Sequence, residues 1–483
     1  MLPSTLPRLV LLTSITTSCI NALKVDVTNA DSIKQTAKTV ATDLMNYYTG
    51  WHPGDNPGNL PPPYYWWEAG GMFGHMIDYW YYTGDDSWND NVTQAISWQA
   101  GKEGTFMPSN QTQSEGNDDQ VFWAFTAMDA AELNFRAPPK DYPSWVAMGQ
   151  GAFQLMSERW DDTACGGGLR WQIFQWNAGY DYKNVASNGG FFQLAARLAR
   201  YTGNDTYTHW AEKSWNWFSD SVLYDAQNYQ IYDGTSDTNN CTTAGKTPWT
   251  YNYGIYLNGL AYLHSAVSWI LLILALSSNL TLRDRQTGDD KWLPHIKGIL
   301  NTLLQTFFPQ KMGNKIFIEV NCEPFGNCDT DNYTFKGFTI RWLATIAQLV
   351  PEVADQIWPY IQASGAGAAG QCSGGADGTK CGFEWNTTTW DGTQGVGQQM
   401  SALAAINANM IKVGNLAPPH SLKSGGQSKT DPNAGSGGTN DNPVELIYTR
   451  KITTADKAGA GIITSMCLGF MLFGAYWLVA TPE

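Results

Sequence analysis

This 483-residue sequence predicts an all-helical domain built from repeated helical hairpins. Three observations carry that expectation. Apolar residues recur at three- and four-residue spacing in many segments, β-type alternation is scarce, and one helix-end motif returns along the chain. The domain is placed at residues 23–415.

The first helix is read over 35–48, where Ala37, Val40, Ala41, Leu44 and Tyr48 share one face. Comparable faces follow at 121–133, 145–159, 191–201, 210–221, 299–308, 341–349 and 353–363, joined by turns rich in Gly, Asn and Asp. The repeated motif is Tyr82-Thr-Gly-Asp-Asp-Ser-Trp88, then Tyr201-Thr-Gly-Asn-Asp205 with Trp210, then Thr287-Gly-Asp-Asp-Lys-Trp292. Each copy reads as a helix end: Gly stops one helix, the acidic pair caps the next, and Trp starts its buried face. Such hairpins stack into solenoids or close into α/α toroids.

The third copy is interrupted. An apolar run within 267–286 separates Ala266 from Thr287, and deleting it restores the motif. Val267-Ser268 can be encoded by GTAAGT and Gln286 by CAG, the usual ends of an intron, so 267–286 is read as a retained intron. A hydrophobic surface insertion is the alternative.

Charged residues make up only 15% of the chain, which nevertheless carries a net charge of −14. That balance argues against nucleic acid and anionic membrane surfaces as partners and suits an uncharged polysaccharide. Residues 1–22 have the Arg8 n-region, short apolar core and small-residue end of a signal peptide. Residues 416–458 read as a flexible stalk, and the apolar stretch 459–483 as a GPI-anchor signal or a transmembrane tail. The expected destination is the outer face of the plasma membrane.

Cys19 and Cys467 fall in these end segments. Of the six other cysteines, Cys322/Cys328 and Cys372/Cys381 are close enough to staple local loops, leaving Cys165 with Cys241. Sequons at Asn91, Asn110, Asn204, Asn240, Asn332 and Asn386 agree with a secreted route.

Chemistry is sought first at Asp118-Asp119, directly before the helix that follows Gln120. A helix N-terminus lowers a carboxylate pKa, which suits a nucleophile. Neighbouring positions project roughly 100° apart, so one carboxyl can meet polar donors while the other enters an apolar pocket. The plain alternative is a pair of helix caps. Five further clusters combine sugar-stacking rings with polar groups at helix starts. They are Trp66-Trp67-Glu68 leading to His75 and Asp78; Asp181-Tyr182-Lys183-Asn184 leading to Asn188; Trp249-Thr-Tyr251-Asn252; Phe335-Lys336 leading to Arg341; and Trp390-Asp391. Together they predict a common rim around a cleft. For Lys183 and Arg341 the alternative is structural pairing with buried carboxylates. The six histidines form no H-x-x-x-H pair, and neither a Walker-type loop nor a G-x-S-x-G elbow occurs, so no metal or cofactor is expected.

Trp67-Glu-Ala-Gly, Gly116-Asn117-Asp-Asp-Gln, Tyr182-Lys-Asn184 with Ser187-Asn-Gly, Trp249-Thr-Tyr-Asn, and Phe335-Lys-Gly together resemble glycoside hydrolase family 76, the mannan endo-1,6-alpha-mannosidases. With the two end signals, the chain resembles the fungal cell-wall branch of that family. The resemblance implies an (α/α)6 toroid and a retaining mechanism, with Asp118 as nucleophile and Asp119 as general acid/base. It also implies α-1,6-mannan or the mannose core of GPI anchors as substrate, with wall glucan as an acceptor. The competing reading is a catalytically silent glycan-binding wall protein that uses the same aromatic cleft.

Overall fold

The computed structural model describes residues 22–111, 113–278 and 291–421, with residue 424 and scattered positions between 454 and 468. The helices are α1 (Ala30–Met45), α2 (Trp66–Thr83), α3 (Asn89–Ala100), α4 (Asn117–Glu132), α5 (Trp145–Glu158), α6 (Val185–Thr202) and α7 (Asp205–Asp220). They continue as α8 (Thr250–Ser278), α9 (Leu293–Phe307), α10 (Asn332–Leu349), α11 (Pro351–Gly370), α12 (Val396–Asn407) and the short α13 (Asn409–Val413).

The packing is a closed double ring. Inner helices α2, α4, α6, α8, α10 and α12 each touch the next, and α12 returns to α2. The odd-numbered helices α1 to α11 lie outside, each packed against an inner one. This is the (α/α)6 toroid. Inner helices are enclosed on almost every side, so α4 and α12 are buried nearly throughout and show little of the one-faced pattern of an outer helix. That is why α2, α8 and α12 carry weak sequence signals and why α6 and α10 start earlier than periodicity predicts. The first turns of α6, α8 and α10 are Gly-, Asn- and Thr-rich and buried.

Gly84 and Gly203 take left-handed conformations (φ 79° and 71°) and end α2 and α6, as the repeat predicts. Asn204 caps α7 by accepting the Thr206 N–H. In the first copy the acidic residue does something else. Asp85 accepts from Ser87 and from the Tyr79 hydroxyl, and α3 begins without a side-chain cap. Thr287–Asp290 of the third copy lies outside the described residues, as do residues 279–286, while 267–278 continue α8.

Three short antiparallel two-stranded pairings stiffen the loops: β1 (Tyr182–Asn184) with β4 (Gly234–Ser236), β2 (Tyr224–Asp225) with β3 (Gln230–Ile231), and β5 (Cys372–Gly374) with β6 (Lys380–Cys381). Disulfides join Cys165 to Cys241, Cys322 to Cys328 and Cys372 to Cys381. Asn110 and Asn240 are exposed. Asn332 departs from the sequon reading. It is buried in the first turn of α10 with its side chain accepting the Asp329 N–H, which leaves no room for a glycan.

The folded domain extends past residue 415. Gln348 donates to the Leu416 and Ala417 carbonyls, and the His420 N–H bonds the Glu132 carbonyl. The signal-peptide reading falls outside the described residues, and nearly all of the stalk and 459–483 does too. Among the described residues no helix is long and apolar enough to cross a membrane.

Candidate active site

The starts of five inner helices meet at one cleft with about 760 Å³ of open space. Trp67 comes from α2, Asp118, Asp119 and Phe122 from α4, Asn184 and Ala186 from β1 and α6, Tyr251 from α8, and Asp331 and Phe335 from α10. Trp171, Tyr182 and Asp233 complete it from the loops.

The acidic pair is fixed from three directions. Asn184 caps α6 by accepting the Ser187 N–H, and its amide nitrogen donates to Asp118 Oδ2 at 2.9 Å. Asp118 Oδ1 accepts the Asp119 N–H at 3.0 Å, and Asp119 Oδ2 accepts the Gly116 N–H at 2.7 Å. Gly116 is required by close approach, because a Cβ there would lie 2.3 Å from Asp118 Oδ1 and 3.3 Å from Asp119 Oδ2. Asn117 ties the turn to the facing loop, donating from its backbone to the Trp171 carbonyl and from its side chain to the Arg170 carbonyl.

Burial decides the protonation of the pair. It pushes Asp119 up to about 7 and Asp118 well above the usual carboxylate range, where the charge of Asp119 adds to desolvation. The expectation that the helix N-terminus lowers these pKa values is therefore overturned: desolvation outweighs the dipole. Near neutrality the pair retains a proton, so one carboxyl is ionised while the other is an acid.

Around the pair, the Tyr182 hydroxyl donates to Asp233 Oδ2 at 2.9 Å, and Tyr251 and Asn252 donate to Asp233 Oδ1, each at 3.3 Å. The Trp67 side chain donates to Asp331, whose pKa is raised to about 6 by burial and by Asp329. Trp67 packs on Phe122 at 5.0 Å, and Tyr251 packs on Phe335 at 4.4 Å. The lining is thus aromatic and acidic, and among the described residues no Lys, Arg or His contributes to it.

Of the residues expected to bind substrate, Trp67, Tyr182, Asn184 and Tyr251 line the cleft beside Asp118 and Asp119. Asn252 and Asn117 brace it from behind. The others lie outside that lining. Lys183 is fully buried and donates to the carbonyls of Asp161, Ala164 and Gly167, so the structural alternative holds for it. It holds for Arg341 too, which pairs with Asp78 at 2.8 Å and Asp129 at 3.0 Å deep in the ring.

Glu68 accepts the Tyr65 N–H at the start of α2, and Asn188 clamps both backbone groups of Leu169. Lys336 donates to Glu323 and to the Phe383 carbonyl. Asp181 accepts from Ser236, Trp249 lies edge-on to Phe335, Asp391 caps the Phe383 and Glu384 N–H groups, and Trp390 donates to the Thr393 carbonyl.

Sequence reading missed Phe122, Trp171, Asp233 and Asp331 as lining residues, whereas Phe335 stood in one of its ring clusters. Asp331 carried a usable signal: it stands immediately before α10, as Asn184 does before α6. Asp233 and Trp171 lie in loops whose positions depend on distant partners, so nothing local marked them.

The profile of glycosyl hydrolase family 76 matches residues 32–268 and 276–420. The chain is 43% identical over 461 residues to the mannan endo-1,6-alpha-mannosidase DCW1 of Saccharomyces cerevisiae, covering 95% of this chain and 96% of that protein. It is 41% identical over 470 residues to DFG5 of Candida albicans, a protein of the same description, with 96% of each covered. Among solved structures it is similar to Dfg5 from Chaetomium thermophilum in complex with glucosamine, at 38% identity and TM-score 0.76, covering 86% of this chain and 97% of that one. The alpha-1,6-mannanase of Salegentibacter sp. HEL1_6 shares the fold at 16% identity and TM-score 0.59, over 78% of this chain and 98% of that one. The chain belongs to glycosyl hydrolase family 76.

Proposed function

We propose that this protein is a retaining, endo-acting α-1,6-mannosidase or transglycosidase of the fungal cell surface. Its substrate would be α-1,6-mannan or the mannose core of a GPI glycan. The observation that carries the reading is the Asp118–Asp119 pair, which holds a proton at the floor of an aromatic cleft. Two carboxyl oxygens that both crowd Gly116 lie closer than the roughly 6.5–9.5 Å spacing of an inverting pair. The curated relatives bear the name of this activity.

In the first step an Asp118 oxygen attacks the anomeric carbon, the glycosidic C–O bond breaks, and Asp119 gives its proton to the leaving oxygen. Burial of both carboxyls keeps one proton shared by the pair at rest. Positive charge developing at the anomeric carbon favours the ionised form of the carboxyl it faces, which moves the proton to Asp119. In the second step Asp119 takes a proton from the acceptor hydroxyl, which displaces Asp118. Water as acceptor gives hydrolysis; a wall glucan would give a cross-link.

The test is incubation with α-1,6-linked manno-oligosaccharides, with and without acceptor glucan, followed by product analysis. Retained configuration and loss of activity in Asp118→Asn are expected. Inverted products would overturn the mechanism, and unchanged wall function in Asp118→Asn would favour a glycan-binding protein. Release from membranes by a phosphatidylinositol-specific phospholipase is expected of an anchored form.

A further inference from the structure

Next to the cleft, one large ring is displayed where burial would be expected. Trp176 is 70% exposed, the highest exposure of any tryptophan among the described residues. Its indole stacks on Phe174 with ring centroids 4.8 Å apart and planes 13° from parallel. Phe174 is itself buried, so the indole rests on a fixed support and presents a flat face outward. The loop is held in place: Asn177 donates to the Gln113 carbonyl and to Gln172 Oε1.

The same loop connects the ring to the catalytic pair. Its segment 171–173 runs antiparallel to 115–117, with Asn117 N–H bonded to Trp171, a bridge between Gly116 and Gln172, and Ile173 N–H bonded to Glu115. Trp171 lines the cleft, and the ribbon then leads outward to Asn177 beside Gln113. Four residues of chain, from Asn117 to Gln113, span at most about 14 Å. That bound keeps the Trp176 loop within reach of an oligosaccharide chain that passes through the cleft. A scattered exposed apolar residue needs no explanation. A rigidly backed indole five residues along the chain from a cleft-lining tryptophan presents the surface on which a pyranose C–H face stacks.

We propose that Trp176, stacked on Phe174, is a distal subsite that binds a hexopyranose of the polymeric substrate several units from the bond cleaved. The linkage named for that polymer rests on the function proposed above. The subsite would add affinity for long chains and contribute nothing to the chemistry.

The test compares wild type with Trp176→Ala on α-1,6-linked mannotetraose and on unbranched α-1,6-mannan. The expected result is a fall of about tenfold in kcat/KM on the polymer, carried by KM, with the tetraose rate unchanged. Trp176→Phe should recover most of the loss, and the melting temperature should not move. Equal loss on both substrates, or no loss on either, would overturn the subsite. If wild type cleaves neither substrate, the mannosidase reading fails separately. Affinity electrophoresis through gels containing the mannan then decides the subsite: faster migration of Trp176→Ala supports it, and equal migration overturns it.

Discussion

Asn184 holds Asp118 from a neighbouring helix: its Nδ2 donates to Asp118 Oδ2 at 2.9 Å while its Oδ1 caps α6 through the Ser187 N–H. One side chain thus ties the registration of α6 to the carboxyl on α4. Two substitutions separate its roles. Asn184→Ala should lose the hydrogen bond to a charged group and cut kcat/KM by about ten- to hundredfold. It should also cost about 1 kcal/mol of stability through the lost cap. Asn184→Asp keeps the cap but replaces the donor with a like charge, so activity should fall at least as far with a smaller change in melting temperature. Steady-state kinetics with thermal melts reads both.

The pH dependence follows from burial of the pair. A raised carboxyl pKa keeps the proton to higher pH, so the acid needed for leaving-group departure persists up to about 7 and is lost above it. The alkaline limb of kcat/KM should therefore lie near or above pH 7, far from the ordinary carboxylate range. Asp119→Asn should remove that limb and reduce kcat by roughly 10²–10⁴-fold. An unmoved alkaline limb in the variant would assign it to another group.

Gly116→Ala tests the close approach. The new methyl would press on Asp118 Oδ1 and sit 3.2 Å from the Trp171 carbonyl, forcing the turn and carboxyl apart. Overpacking of this kind costs about 1–3 kcal/mol. The larger effect should be on kcat, because the displaced carboxyl is the proposed nucleophile. Circular dichroism and kinetics on the same sample distinguish misfolding from misplacement.

Glu319 provides a stability test outside the cleft. It is buried, its Oε2 accepts from the Thr250 hydroxyl at 2.6 Å, and burial pushes its pKa up to about 8. Between about pH 4.5 and 8 the folded state binds this proton more tightly than the unfolded one, so its contribution to stability falls as pH rises. Glu319→Gln keeps an acceptor for Thr250 and cannot ionise. The variant should flatten the loss of stability across that window, measured by denaturant unfolding at pH 5 and pH 8.

The break in the family match between 268 and 276 falls inside the segment read as a retained intron. Peptide mapping of protein purified from its native source should find Ala266 joined directly to Thr287. A peptide reading through Trp269 and Leu280 would show that the segment is translated.

The helical repeat and the site were unequally legible. Gly84 and Gly203 marked their helix ends because a left-handed C-cap is a local requirement. Outer helices such as α1 and α5 showed their periodicity because one face meets solvent. Four of the five clusters, those at the starts of α2, α6, α8 and α10, supply residues that line the cleft, and the fifth, Trp390-Asp391, does not. The same reasoning overreached for Lys183, Lys336 and Arg341. A cation next to a motif reads alike whether it faces the cleft or plugs the carbonyls behind it.

By itself the sequence determined the helical class, the hairpin repeat, the three cysteine pairs and the Asp118-Asp119 pair, all of which rest on local spacing or on which residues are present. Only the tertiary structure decided which side chains share the cleft, because Trp171, Asp233 and Asp331 reach it from loops placed by distant contacts. It also decided the charge state of the pair. A helix start favours ionised carboxylates, but closure of the ring removes enough water to make desolvation the larger effect.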